Sequence, residues 1–218
     1  MPITVKAHQI AYSPLPKAGC STVKRMMATV DPTCDLPPQD TWDEHLWHRL
    51  FPTIRYRADR FSKALGYWRI CVVRDPLKRL LSVYTNRVVK FRDLHNSANM
   101  KRPEYAHLSK DPDPDFFFSH LQEYRDASSV IKHHILPAEL FLGPDLEAYD
   151  RVYRTEEMPQ LAHDLQKRTG VAVKCARENA SAMQLDVHDL KSETVDMLRP
   201  RLAREYQYLE KFFGNPLA

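Results

Sequence analysis

Short β-branched runs and longer stretches of helical spacing alternate along the chain. Ile10-Ala11-Tyr12-Ser13 is a β-like stretch closed by Pro14 and Pro16. After a loop containing Gly19, residues 21–28 have helix-compatible composition, with Ser21 or Thr22 placed to cap. Residues 31–40, rich in proline and acids, read as a loop, and residues 41–65 as partly helical with an interruption at Pro52. Trp68-Arg69-Ile70-Cys71-Val72-Val73 is the clearest buried strand. It breaks at Arg74-Asp75-Pro76, and residues 77–92 predict a long helix with Leu80, Leu81, Tyr84 and Val88 on one face. The polar, proline-bearing stretch 96–114 predicts a surface loop or lid. Residues 116–124 predict a helix, and residues 149–154 a short strand followed by a helix ending near Gly170. A last charged helix is expected over residues 192–213, with Pro200 as the point where it could break. There is no internal repeat or low-complexity tract. Strands alternating with helices predict a single α/β domain, residues 1–218, built on a parallel sheet flanked by helices, with further helical segments after Leu77.

Composition narrows the picture. The 218 residues are 43% apolar and 28% charged, enough for a core under an ordinary soluble surface. A net charge of +4 and a pI near 8.8 suit an anionic ligand. They fall short of the dense basic stripe of a nucleic-acid binder, so no nucleic-acid partner is expected. No apolar run approaches a membrane span and the start has no signal-peptide core, so no stable membrane insertion is expected. The four cysteines are scattered without a CxxC pair, which predicts a cytoplasmic protein with reduced thiols and no zinc site. With only five glycines, one inside a polar loop carries weight.

That glycine is Gly19, in Pro16-Lys17-Ala18-Gly19-Cys20-Ser21-Thr22. A glycine lets successive N–H groups turn inward, the following helix adds the positive end of its dipole, Ser21 and Thr22 add hydroxyls, and Lys17 adds a full charge. The segment is a cradle for a tetrahedral anion, though an ordinary strand-to-helix turn has the same composition. It is not a Walker A loop, because the lysine precedes the single glycine and Cys20 stands where that lysine would be. The second segment, Val73-Arg74-Asp75-Pro76-Leu77-Lys78-Arg79-Leu80-Leu81-Ser82-Val83-Tyr84, places Arg74 at the C-terminal end of a buried strand, where open α/β sheets bind ligands. A guanidinium with the Ser82 hydroxyl suits a second phosphate, while Arg74-Asp75 as a local ion pair is the competing reading.

Together the two segments resemble the paired donor-binding motifs of the sulfotransferases, in the carbohydrate (Golgi-type, "family 2") branch, as a bacterial-type soluble member. The match runs over Lys17, Gly19, Ser21 and Thr22, then Arg74, Pro76, Arg79, Leu80, Ser82 and Tyr84. Weaker echoes are His134, three residues before Pro137; Tyr149-Asp150 with Glu156-Glu157; and Arg177-Glu178-Asn179-Ala180-Ser181. The resemblance implies a P-loop-like fold with added helical acceptor-side segments. It also implies transfer of a sulfuryl group from 3′-phosphoadenosine-5′-phosphosulfate to a hydroxyl or amine of a carbohydrate or glycolipid acceptor, without a metal. The cofactor-binding set it implies is Lys17, Ala18, Gly19, Cys20, Ser21, Thr22, Arg74, Ser82, Arg177 and Asn179, with Lys17 stabilising the bridging oxygen as the S–O bond breaks. A general base is expected among His48, His134 and His45, with Glu44 as an acidic alternative. Tyr12, Trp42, Trp47, Tyr56 and Trp68 offer either sugar-stacking faces or core. The rival readings are a P-loop-type nucleotide kinase, which would need a Walker A loop, and a non-catalytic protein binding nucleotides or sulfated ligands.

Overall fold

The structure, a computed structural model, describes residues 2–43, 45–175 and 183–218. The chain divides into two compact units, Met1–Arg74 with Ala138–Ala180, and Asp75–Pro137 with Ser181–Ala218.

The first unit is an α/β layer. Its sheet has the order β1 (Ile3–Val5), β2 (Ile10–Ser13), β3 (Trp68–Val73), β4 (Arg151–Arg154). β1 runs antiparallel to β2, whereas β2, β3 and β4 are parallel, with Ser13 opposite Cys71 and Val73 opposite Arg154. The central strands are buried on both faces, as their unbroken apolar runs require. Helix α1 (Cys20–Val30) presents Val23, Met26, Met27 and Val30, and α9 (Met158–Thr169) presents Leu161, Ala162 and Leu165, to Ile10, Tyr12, Ile70, Val72 and Tyr153 of the sheet. The short helices α2 (Leu46–Leu50), α3 (Ala58–Phe61) and α8 (Glu139–Leu142) complete this unit. Asp150 locks the strand register: its carboxylate accepts the Arg69 backbone N–H at 2.6 Å, and its own N–H donates to the Arg69 carbonyl at 2.9 Å.

The second unit is helical: α4 (Pro76–Val83), α5 (Pro114–Ser119), α6 (Leu121–Ala127), α7 (Ser129–Ile135) and α10 (Ser192–Tyr208). Leu77, Leu80, Leu81 and Tyr84 pack with Phe117, Phe118, Tyr124, Ile131, Leu198 and Leu202. Asp75 caps α4 by accepting the Lys78 N–H at 2.9 Å, with Pro76 at the first helical position. Past Val83 the helix widens into a π turn over Tyr84–Lys90.

Three expectations change. The cap of α1 is Gly19, in the left-handed region at φ 69°, and neither Ser21 nor Thr22 caps it. The helix expected over 116–124 is two helices meeting at His120, whose φ of −105° and ψ of 23° leave the helical region. Pro200 does not end α10, which runs through it to Tyr208, with Leu198 and Leu202 buried on either side. The stretch 96–114 is a surface loop, as expected, and it is tied down. Short 3-10 turns run over Ala98–Lys101 and Pro103–Tyr105, and Tyr84 and Tyr124 donate their hydroxyls to the carbonyls of Pro112 and Ser109 at 2.9 and 2.7 Å.

Candidate active site

Strands β2 and β3 are parallel neighbours, so the loops leaving their C-terminal ends emerge side by side. The first carries Lys17, the second begins with Arg74. The Arg74 guanidinium donates through Nη1 to the Lys17 backbone carbonyl at 3.1 Å. The sheet therefore brings together the two motifs that lie 57 residues apart in sequence.

The loop itself is held in an uncommon backbone shape. Lys17 has φ 66° and Gly19 φ 69°, both left-handed. For glycine this costs nothing; for lysine it costs about 1–2 kcal/mol, strain of a kind concentrated at functional sites. A Cβ on Gly19 would also come within 2.3 Å of the Met158 methyl carbon, so that flexible side chain would have to move, in addition to the left-handed strain. The first backbone bond of α1 runs from the Val23 N–H to the Gly19 carbonyl at 3.2 Å. The N–H groups of Cys20, Ser21 and Thr22 consequently project from the helix end, where the dipole favours an anion. Cys20, Ser21 and Thr22 are all buried, while Lys17 is half-buried. Residues 17–22 and Arg74 thus lie together at the C-terminal ends of β2 and β3, a group that does not include Ser82.

Ser82 belongs to the helical unit, where its hydroxyl donates to the Arg79 carbonyl of its own helix at 2.7 Å. Arg177 and Asn179 lie outside the described residues, as does Glu44.

Three motif residues turn out to build the scaffold. Arg79, only 4% exposed, donates to the carbonyls of Leu136 at 2.9 Å and His134 at 3.4 Å and pairs with Glu205 at 3.2 Å. Arg201 donates to the Ile135 carbonyl. Two arginines thereby cover the exposed carbonyls at the C-terminus of α7, which also suits the helix dipole. The Tyr206 hydroxyl donates to the Asp75 carboxylate at 2.8 Å; burial first, and that bond second, push its pKa above the usual tyrosine value. Glu157 accepts the Arg154 N–H at 2.8 Å in a capping box. The roles of Arg79 and Asp75 were not visible in the sequence, because Glu205 and Tyr206 are brought to them by tertiary packing, whereas the Glu157 capping box is local.

The candidate bases separate by their hydrogen bonds. His134 Nδ1 lies 2.8 Å from the Val130 carbonyl, one turn back on α7. A carbonyl only accepts, so Nδ1 carries the hydrogen and the neutral ring keeps its lone pair on Nε2, the arrangement a base needs. His48 on α2 lies with Nε2 3.0 Å from the Ser21 hydroxyl and Nδ1 3.1 Å from Lys24 Nζ, so both ring nitrogens face partners inside its own unit. His45 is an exposed residue at the start of α2, its backbone N–H donating to Asp43 at 2.9 Å.

Among the aromatic candidates, Tyr12 and Trp47 are core, and Trp42 packs edge-on against Trp47 at 5.2 Å between ring centres. Trp68 is half-buried, with the Arg168 guanidinium over its ring. Tyr56 is different. It lines a cleft with Ser13, Pro14, Ile54, Arg57 and Phe141 at the C-terminal end of β2. Among the described residues no group of three or more His, Cys, Asp or Glu side chains is assembled as a metal site, and no helix is long and apolar enough to cross a membrane.

A strand-loop-helix anion cradle with a lysine before its glycine, tied to an arginine from the next parallel strand, is the arrangement at which the sequence motifs pointed. Neither the curated proteins nor the solved structures include a match to this chain. The model described as "Sulfotransferase family", by contrast, matches residues 3–209, nearly the full length, including every motif named above. This chain belongs to the sulfotransferase family.

Proposed function

We propose that the chain transfers the sulfuryl group of 3′-phosphoadenosine-5′-phosphosulfate to a hydroxyl or amine of a carbohydrate acceptor, in a cytoplasmic setting where its cysteines stay thiols. The observation that carries the donor assignment is the Arg74–Lys17 bond at the mouth of two parallel strands, beside the N-terminus of α1. It brings the lysine-bearing loop, a guanidinium and a helix end side by side, a set of groups suited to an anionic ligand.

In this reading the N–H groups at the start of α1, with the Ser21 and Thr22 hydroxyls, hold the 5′-phosphate. The Arg74 guanidinium reads the 3′-phosphate. Lys17 neutralises the charge that grows on the bridging oxygen as the bond from sulfur to the phosphate oxygen breaks. A new bond forms from sulfur to the acceptor oxygen or nitrogen, and His134 Nε2 takes the proton that the acceptor loses. Adenosine 3′,5′-bisphosphate leaves. Tyr56, at the rim of its cleft, offers a ring face to a sugar.

Calorimetry with adenosine 3′,5′-bisphosphate and with ATP tests the donor. The bisphosphate is expected to bind about 10–150-fold more tightly, the equivalent of the roughly 1.5–3 kcal/mol of a hydrogen bond to a charged group. Equal affinities would remove the 3′-phosphate assignment of Arg74.

A further inference from the structure

Behind the donor cradle runs a buried polar chain that sulfuryl transfer does not by itself require. Lys24, on α1 one turn after Ser21, is wholly inaccessible to solvent. Its ammonium donates to the Thr53 hydroxyl at 2.7 Å and lies 3.1 Å from His48 Nδ1. His48 Nε2 lies 3.0 Å from Ser21 Oγ. All four residues belong to the α/β unit.

Elementary donor and acceptor counting gives this chain a direction. An ammonium has three donors and no acceptor, so beside a charged Lys24 the His48 Nδ1 must accept. The neutral ring then carries its hydrogen on Nε2 and donates it to Ser21 Oγ. A hydroxyl oxygen that accepts from behind turns its own hydrogen the other way, toward the open end of α1. A charged group is costly to bury unless it is hydrogen-bonded, and Lys24 is held by Thr53 and His48. Burial lowers the Lys24 pKa from its usual value. An uncharged amine at 24 would accept from Nδ1 instead, reversing the chain and drawing the Ser21 hydrogen inward.

We propose that Lys24 is a positioning residue for donor binding: acting through His48, it orients the Ser21 hydroxyl to donate to the 5′-phosphate held at the start of α1. The proposal rests on the donor site assigned above. It makes His48 part of the grip on the donor and leaves the acceptor proton to another group.

Two measurements test it. Long-range proton–nitrogen spectra of protein labelled at histidine, with the His48 signal assigned by its loss in His48→Gln, read the tautomer without any ligand. Nε2–H with a bare Nδ1 is expected in the unmodified protein, and a shift toward the other tautomer in Lys24→Met. A hydrogen on Nδ1 in the unmodified protein, or a spectrum unchanged by Lys24→Met, overturns the proposal. Calorimetry with adenosine 3′,5′-bisphosphate reads the consequence. Lys24→Met and Ser21→Ala are each expected to weaken binding about 10-fold, as loss of one charge-assisted hydrogen bond does. The double variant should bind no more weakly than Ser21→Ala alone, because the two act in series. Multiplied losses would show that Lys24 serves only the packing of α1 and would end the proposal. His48→Gln leaves the buried cation in place and keeps an amide donor toward Ser21, so it is expected to retain most of the affinity. A 10-fold loss in that variant counts against the chain. If the unmodified protein itself binds no bisphosphate, the donor assignment fails and the ligand role of Lys24 falls with it; the tautomer spectra still report the hydrogen-bond order separately.

Discussion

Arg79 lies in the middle of the second motif, and two roles for it can be told apart by experiment. Its guanidinium is almost fully buried, as is the Glu205 carboxylate it pairs with, at 5% and 8% side-chain exposure. Arg79→Met would strand that carboxylate and uncover the carbonyls of His134 and Leu136 at the end of α7. Breaking one side of a buried pair costs about 3–5 kcal/mol. Arg201 also carries charge toward Glu205, which keeps the loss near the lower end, about 3 kcal/mol. With a urea slope of roughly 2 kcal/mol per molar, the unfolding midpoint should fall by about 1.5 M. Arg79→Met/Glu205→Leu removes both charges and should recover more than half of that loss, since apolar replacements of buried pairs are often neutral. Circular dichroism in urea, with bisphosphate calorimetry at low urea on the same samples, separates stability from binding. An Arg79→Met protein that unfolds within about 0.3 M of the parent yet no longer binds bisphosphate would refute the scaffold role and make Arg79 a ligand contact.

Lys17→Ala is expected to abolish transfer to a glycan acceptor while leaving the far-ultraviolet spectrum unchanged; a fully active variant would remove Lys17 as the catalytic cation. Because Lys17 sits at φ 66°, Lys17→Gly should be more stable than Lys17→Ala by about 1 kcal/mol in thermal unfolding. Gly19→Ala, which adds left-handed strain and a contact with Met158, should lose bisphosphate binding at least 10-fold in calorimetry. His134→Ala should lower kcat about 10²–10⁴-fold and leave bisphosphate affinity intact, whereas equal losses in both would argue against a base. Buried Tyr206 has its pKa raised in the folded state, so its contribution to stability is complete below the unfolded tyrosine value of about 10 and is lost as pH rises through the folded value. Tyr206→Phe should flatten that alkaline loss in urea titrations run from pH 8 upward.

The sequence is most legible where a function is local. Pro16 to Thr22 can be read as an anion cradle because its turn, its charge and its helix start are consecutive. Trp68–Val73 announces itself as a strand by an apolar run that needs no partner to interpret. Legibility ends where a residue's partner lies far along the chain. Arg79 finds Glu205 at a separation of 126 residues, and Lys24 finds His48 and Thr53 across 24 and 29. In the sequence Lys24 is one more lysine on a helix, and a surface position is the natural reading; only packing shows that it is buried. Strand β1 escapes notice because three residues, Ile3–Val5, are too few to show an alternation. Helix α7 was hidden by β-branched Val130 and Ile131 and a pair of histidines, which have no strong helical preference, although Ser128 does cap it.

The pairing of β2 with β3 acts as a ruler. Adjacent strands stand about 4.8 Å apart and advance about 3.3 Å per residue, and each step of one residue reverses the face on which a side chain emerges. With Ser13 set opposite Cys71, the distance from the cradle loop to Arg74 is counted out in strand residues and does not depend on how the loop is composed. A substitution within Pro14-Leu15-Pro16 leaves that measure intact. Loss or gain of one residue between Cys71 and Arg74 would shift the guanidinium by a full strand step and turn it to the opposite side, a cost to the site that adds to the flipping of the buried β3 side chains.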